Sequence, residues 1–133
     1  MGDEPFVAYD HVQFAMPPGQ EERARGFYVG VLGFVEDPKP EELRARGGVW
    51  FSSGRVRLHL GVEEDFRPAR KAHAALVCVD FAAVTARIAA NGVEVHSAGS
   101  FEDSVEHAYV SDPFGNRIEL VSASALSPEP VPY

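Results

Sequence analysis

Apolar positions along this chain switch between a period of two and a period near 3.6, and the order of switching occurs twice. From Phe6 to Ala15 one parity holds Val7, Tyr9, His11, Gln13 and Ala15 and the other Ala8, Asp10, Val12 and Phe14, which predicts a strand ended by Met16-Pro17-Pro18-Gly19. Gln20 to Leu32 then carries Ala24, Phe27, Tyr28, Val31 and Leu32 at helical spacing. Glu21 and Glu22 stand in its first turn, where they suit the helix dipole, and Gly33 stops it. Phe34-Val35 opens a second strand. Asp37 to Gly48, with two prolines and paired glycines, reads as a long loop or a loop around one short turn of helix. Val49-Trp50-Phe51 and Arg55 to Val62 form strands either side of a tight turn at Ser52-Ser53-Gly54.

After the polar stretch Glu63 to Lys71 the order returns. His73 to Val79 is a strand, Asp80 caps a helix from Phe81 to Ala90, and Asn91-Gly92 ends it. Val93-Glu94-Val95 reads as a strand, Gly99 to Asp103 as a loop, Val105 to Val110 as a strand, Asp112 to Asn116 as a turn, and Arg117 to Val121 as the last strand. Asp112 and Asn116 are explained as turn formers. Each half is thus β-α-β-β-β, which predicts an α+β domain of two modules, about 6–62 and 72–121. They are joined by a linker at 63–71 and followed by a loose tail at 122–133.

Composition narrows the picture. At 133 residues the chain makes one folding unit, and 45% hydrophobic against 24% charged residues is a globular balance. Twenty Asp and Glu against 12 Lys and Arg give a net charge of −8 spread along the chain, which argues against nucleic acid or an anionic membrane as partner. Cys78 is the single cysteine and sits in an apolar run, a buried small hydrophobe rather than a reactive thiol. Met1 to Pro5 is acidic and no apolar run of signal length follows, nor does any stretch reach the roughly 20 apolar residues that span a bilayer. A cytoplasmic location is the expectation.

The candidate chemistry lies in Arg57-Leu58-His59-Leu60 and its near-copy Arg117-Ile118-Glu119-Leu120. Residues two apart on a strand share a face, so Arg57 and His59 point one way, as do Arg117 and Glu119. His11 and His73 occupy equivalent places on the first strands. Three imidazoles and a carboxylate at repeat-equivalent positions form a donor set for a divalent metal such as Zn, Ni, Fe(II), Co or Mn. By parity Gln13, Arg57 and Arg117 border that set, which suits a small anionic or carbonyl-bearing substrate. The alternative is that these arginines cover apolar surface with their stems or balance neighbouring carboxylates. His107 and Tyr109 share a parity and face either into the site, as an acid or hydrogen-bond donor, or away from it. His96 has no repeat partner and reads as a surface residue.

These residues resemble the vicinal oxygen chelate superfamily, which includes glyoxalase I, methylmalonyl-CoA epimerase, extradiol dioxygenases, fosfomycin-resistance proteins and bleomycin-binding proteins. The resemblance runs from Tyr9-Asp10-His11-Val12 through Phe27-Tyr28-Val29-Gly30-Val31-Leu32-Gly33-Phe34 to Asp112-Pro113-Phe114-Gly115-Asn116-Arg117-Ile118-Glu119-Leu120. It implies paired modules curled into a cupped mixed sheet, helices outside, around one metal that chelates two neighbouring substrate oxygens. By position His11, His73 and Glu119 match the three ligands shared by the dioxygenases and fosfomycin-type transferases. His59 stands fourth, where glyoxalase I and the epimerases have Glu or Gln. A metal-bound imidazole moves protons less well than a carboxylate, which leaves Glu119 as the one obvious base.

The resemblance therefore implies a metal-dependent lyase or isomerase of glyoxalase type acting on a small α-oxygenated carbonyl compound. Glu119 would be catalytic, and Gln13, Arg57, Tyr109 and Arg117 would bind substrate. A metal-free drug- or metabolite-binding module of bleomycin-resistance type and an Fe(II) ring-cleaving dioxygenase are the alternatives. Single-chain relatives of this length imply a homodimer, with the site within one chain or shared across the pair.

Overall fold

In a computed structural model, which describes residues 2–100 and 105–123, the chain is α+β: two four-stranded mixed sheets with few helices. The first sheet holds β1 (Val12–Met16), β2 (Val35–Asp37), β3 (Val49–Ser53) and β4 (Val56–Val62) in the order β1-β4-β3-β2. The second holds β5 (Ala74–Cys78), β6 (His96–Ser100), β7 (Glu106–Ser111) and β8 (Arg117–Ser122) in the order β5-β8-β7-β6. In each, the first strand pairs parallel with the last and the others pair antiparallel. The order is the same in both modules.

Strand parity separates a dry face from a wet one. On β4 Leu58 and Leu60 are each 1% exposed, whereas Arg57 is exposed and His59 half-buried. On β8 Ile118 and Leu120 are buried while Arg117 is exposed and Glu119 half-buried. Helix α1 (Glu21–Arg25), its π-helical continuation Gly26–Val31 and helix α3 (Phe81–Ala90) serve the dry faces. Tyr28 stacks on Phe51 at 5.1 Å, and α3 packs against β8 with Ile88 fully buried. The wet faces are left uncovered by helix. Helix α2 (Glu41–Arg44) is a single turn inside the 37–48 loop.

Several cross-links tie the modules. Tyr28 Oη donates to Asp112 Oδ2 at 2.8 Å, and Asn116 Nδ2 donates to the Ala15 carbonyl at 2.9 Å. Arg87 Nε donates to the Val31 carbonyl at 3.0 Å, and Arg23 Nη2 to that of Pro113 at 3.1 Å. Asp112 and Asn116 therefore do more than form the turn assigned to them. Asp80 caps α3, accepting from Ala83 N at 3.0 Å. Cys78 is buried, and burial pushes its thiol up.

Three expected elements differ. The first strand begins at Val12, not Phe6, because Val12 lies opposite Leu58 and β4 starts only two residues earlier. Residues upstream of Asp10 have no partner to pair with. The expected helix Gln20 to Leu32 is α only to Arg25 and then widens, Leu32 N reaching back five residues to Phe27 O at 2.9 Å. The strand expected at Val93 to Val95 lies instead at His96–Ser100, where it finds β7, while Val93 and Val95 pack against the core. Of the expected 99–103 loop and the tail, residues 101–103 and 124–133 lie outside the described residues. Among the described residues no helix is long and apolar enough to cross a membrane.

Candidate functional site

The wet face of the first sheet carries a ladder of rings. Register sets His59 of β4 opposite Trp50 of β3 and Gln13 of β1. The Trp50 and His59 rings stack at 4.2 Å and 7°, and those of His59 and His11 at 4.1 Å and 15°. Because β4 lies between β3 and β1, His59 is sandwiched, and His11 ends the ladder at the sheet edge. His11 Nδ1 donates to Asp10 Oδ2 at 2.9 Å, and Arg57 Nη1 to Asp10 Oδ1 at 3.4 Å. The His11 hydrogen bond, aided by the Arg57 charge, holds the Asp10 carboxyl below its usual range. Burial, and then the neighbouring His11, push the His59 imidazole down. Gln13 is exposed, and its amide lies over Gly61.

The second sheet carries an imidazole-carboxylate-imidazole bridge. Glu119 of β8 lies opposite Tyr109 of β7 and Ala75 of β5. Its Oε1 accepts from His73 Nε2 at 2.9 Å and its Oε2 from His107 Nδ1 at 2.6 Å. Burial pushes the Glu119 carboxyl up, but the hydrogen bonds from His107 and His73 outweigh it and the net shift is downward. Tyr109 sets its ring edge-on to His73 at 5.7 Å, and the Arg117 guanidinium lies over the Tyr109 ring at 5.3 Å. His107 faces the site, which parity alone left open.

A cleft of about 540 Å3 joins the two clusters, lined on one side by Asp10, His11, Arg55 and Arg57 and on the other by His73 to Leu76. A second, of about 300 Å3, runs between Gln13 on β1 and His73, Arg67 and Arg117. Of the four expected metal ligands His11 and His73 line the larger cleft, and the set falls into two pairs, His11 stacked on His59 and His73 bonded to Glu119. Among the described residues no group of three or more His, Cys, Asp or Glu is placed to hold a metal ion. The reasons are local. Both His73 nitrogens are turned to hydrogen-bond partners, the Lys71 carbonyl at 2.7 Å and Glu119 at 2.9 Å. Stacking turns the faces of His11 and His59 together, while a metal needs their in-plane nitrogens to converge. In this arrangement the donor types fit a metal and their geometry does not.

Sequence reasoning passed over Trp50 and left His107 open. Trp50 lies opposite His59 as Tyr109 lies opposite Glu119, so the offset between the two last strands, applied to Tyr109, points to Trp50.

Two mixed sheets of one β-α-β-β-β pattern, each with one polar face, define a class of small paired-module α+β proteins. Residues 9–120 match the family model of the Glyoxalase/Bleomycin resistance protein/Dioxygenase superfamily, and the chain belongs to that superfamily. Its structure is similar to that of a glyoxalase family protein from Bacillus anthracis, at 44% identity and a TM-score of 0.85 over 90% of this chain and 97% of that one. It is also similar to TnmS3, an antibiotic binding protein from Streptomyces sp. CB03234, at 27% identity and a TM-score of 0.67 over 88% and 98%. The lactoylglutathione lyase of Agrobacterium tumefaciens, at 21% identity and a TM-score of 0.68 over 93% and 99%, shares the fold. Among curated proteins none matches this chain.

Proposed function

We propose that this protein binds a small organic molecule at the seam between its modules, using its own side chains and no metal. One observation carries the reading: His73 is engaged by Lys71 and Glu119 and His11 by Asp10, while His11, at the end of a ring stack, and His73, at the end of a hydrogen-bonded bridge, line one cleft. The likeness to an antibiotic binding protein points the same way. Gln13, Arg57, Tyr109 and Arg117 then supply the polar contacts that orient the ligand. Thermal-shift screening of small molecules in the presence of a strong chelator should yield ligands whose calorimetric affinity is unchanged when the chelator is omitted. Calorimetric titration with Zn, Ni, Co, Mn or anaerobic Fe(II) should show less than about a tenth of an equivalent bound. Uptake of one equivalent, lost together with ligand binding in His11→Ala and His73→Ala, overturns the reading.

That outcome would restore the second reading, a metal-dependent lyase or isomerase of glyoxalase type with Glu119 as its base. The donor types of His11, His59, His73 and Glu119 favour it, and a bound metal would polarise neighbouring substrate oxygens. His73 has first to release Glu119.

The chain is further proposed to pair with a second copy of itself. Phe6, Val7, Tyr9 and Val79 are 89%, 95%, 91% and 95% exposed, an arm and an edge that an isologous contact would cover twice over. Sedimentation should return a dimer for the full chain and a lighter species for Phe6→Ser/Tyr9→Ser. A monomer at every concentration removes the proposal.

A further inference from the structure

We infer that the ligand of this seam is a planar aromatic carboxylate, its ring seated on the outer face of His11 and its carboxylate on Arg57 and Arg55. The inference rests on the binding function proposed above and adds the chemical class of what is bound.

The first support is the direction in which the ladder runs. Trp50 and His59 stand on the neighbouring strands β3 and β4 and His11 directly precedes β1, the next strand over, and their rings step across the sheet at 4.2 and 4.1 Å. That spacing is close to the distance between strands, so each ring stacks on the next as its strand neighbours the next. β1 is the edge of its sheet, and beyond His11 lies the cleft rather than another strand. His73 lines the far wall. A flat conjugated ring entering the cleft becomes the next layer, with His11 on one side and His73 across from it. A saturated ring, puckered and without a π face, gains only the apolar contact.

The second support is charge. The chain as a whole carries 20 acids against 12 basic residues, yet the lining of the two clefts reverses that balance. Arg55 and Arg57 line the larger cleft with one carboxylate, Asp10, and Arg67 and Arg117 line the smaller with none. Asp10 is already bonded to both His11 and Arg57, and Glu119 is held between two imidazoles, so neither competes for the arginines at full strength. Arg57 is 56% exposed in its side chain and makes one long bond of 3.4 Å to Asp10, which leaves most of its fork of donors for a ligand. A planar fork matches a carboxylate with two parallel hydrogen bonds. Stack and fork sit on the same wall, since His11 and Arg57 both bond Asp10.

Three probes of one shape separate these terms: 2-naphthoate, its neutral amide, and the saturated decahydro-2-naphthoate, each titrated calorimetrically into the full chain with chelator present. Naphthoate is expected to bind about tenfold more tightly than either comparison. His11→Leu should remove the advantage over the saturated acid and keep the advantage over the amide. Arg57→Gln should do the reverse, both variants keeping the parent melting temperature. Equal affinities for naphthoate and the saturated acid, or variants that leave the ratios unmoved, overturn the inference. So does the absence of binding by all three. In that last case a ligand of another chemistry from the chelator screen leaves the binding function standing, and an empty screen overturns both.

Discussion

Asp112→Ala is expected to destabilise the fold by about 4 kcal/mol, because it orphans four donors at once in a buried place. Asp112 is 5% exposed. Its Oδ2 accepts from Tyr28 Oη and Asn116 Nδ2, both at 2.8 Å, and its Oδ1 from the backbone N–H groups of Phe114 and Asn116, both at 2.9 Å. Three of these donors belong to the turn, but Tyr28 comes from the other module. For a chain of this length the loss corresponds to a fall in Tm of about 10–15 °C. Tyr28→Phe should cost about 1–2 kcal/mol in the parent and much less in the Asp112→Ala background, since the bond it removes is already gone. Additive losses in that double-mutant cycle would show that the two residues stabilise separate things.

The same pair sets an alkaline signature. Burial, and then the Asp112 charge and hydrogen bond, raise the Tyr28 phenol well above its ordinary 10.0. Between about pH 10 and the folded value the unfolded chain has lost this proton and the folded chain has not. Stability from this group is therefore complete below pH 10 and declines as pH rises beyond it. Tyr28→Phe should flatten that part of the curve.

How far the sequence reached can be judged at these positions. Parity and the 60-residue offset between His59 and Glu119 placed both last strands, their dry faces and the residues at the seam, because a strand with one buried face leaves an alternation that survives in any context. Asp80, Gly33 and Gly92 were readable as a cap and stops, since their roles depend on a few neighbouring residues. What was hidden depended on partners far away. Phe6 to Tyr9 alternates like a strand but overshoots β4, and Val93 to Val95 is strand-like in composition yet, among the described residues, lacks the partner that His96–Ser100 finds. The candidate donors were read by type and parity alone, and no spacing along a chain says that His11 turns its face to His59 or that His107 closes on Glu119. Those depend on rotamers and on which acceptor lies nearest.

Gly48→Ala is the second large effect expected, and its size comes from a collision the sequence hinted at only as a pair of glycines. Gly48 has φ +86°, where an L side chain costs about 1–2 kcal/mol. A Cβ there would stand 2.2 Å from the backbone oxygen of Leu60, which cannot move aside without shifting β4. The overlap adds about 1–3 kcal/mol. Gly48 N also donates to Glu21 Oε2 at 2.9 Å, anchoring the loop to α1, so the backbone has little freedom to relax. Gly54 is the natural control: at φ +57° it carries a similar conformational penalty, but its Cβ would meet nothing within 4 Å. Gly48→Ala should lose about 3 kcal/mol and Gly54→Ala about 1, read from urea midpoints at constant m. Equal losses would mean that strain at positive φ is the whole cost and the contact with Leu60 counts for nothing. If the contact does decide it, the effect reaches the site, because the residue after next is Trp50, and any shift of β3 against β4 slides its ring off His59. Gly48→Ala should then also change the emission of Trp50, the single tryptophan, while Gly54→Ala leaves it as in the parent.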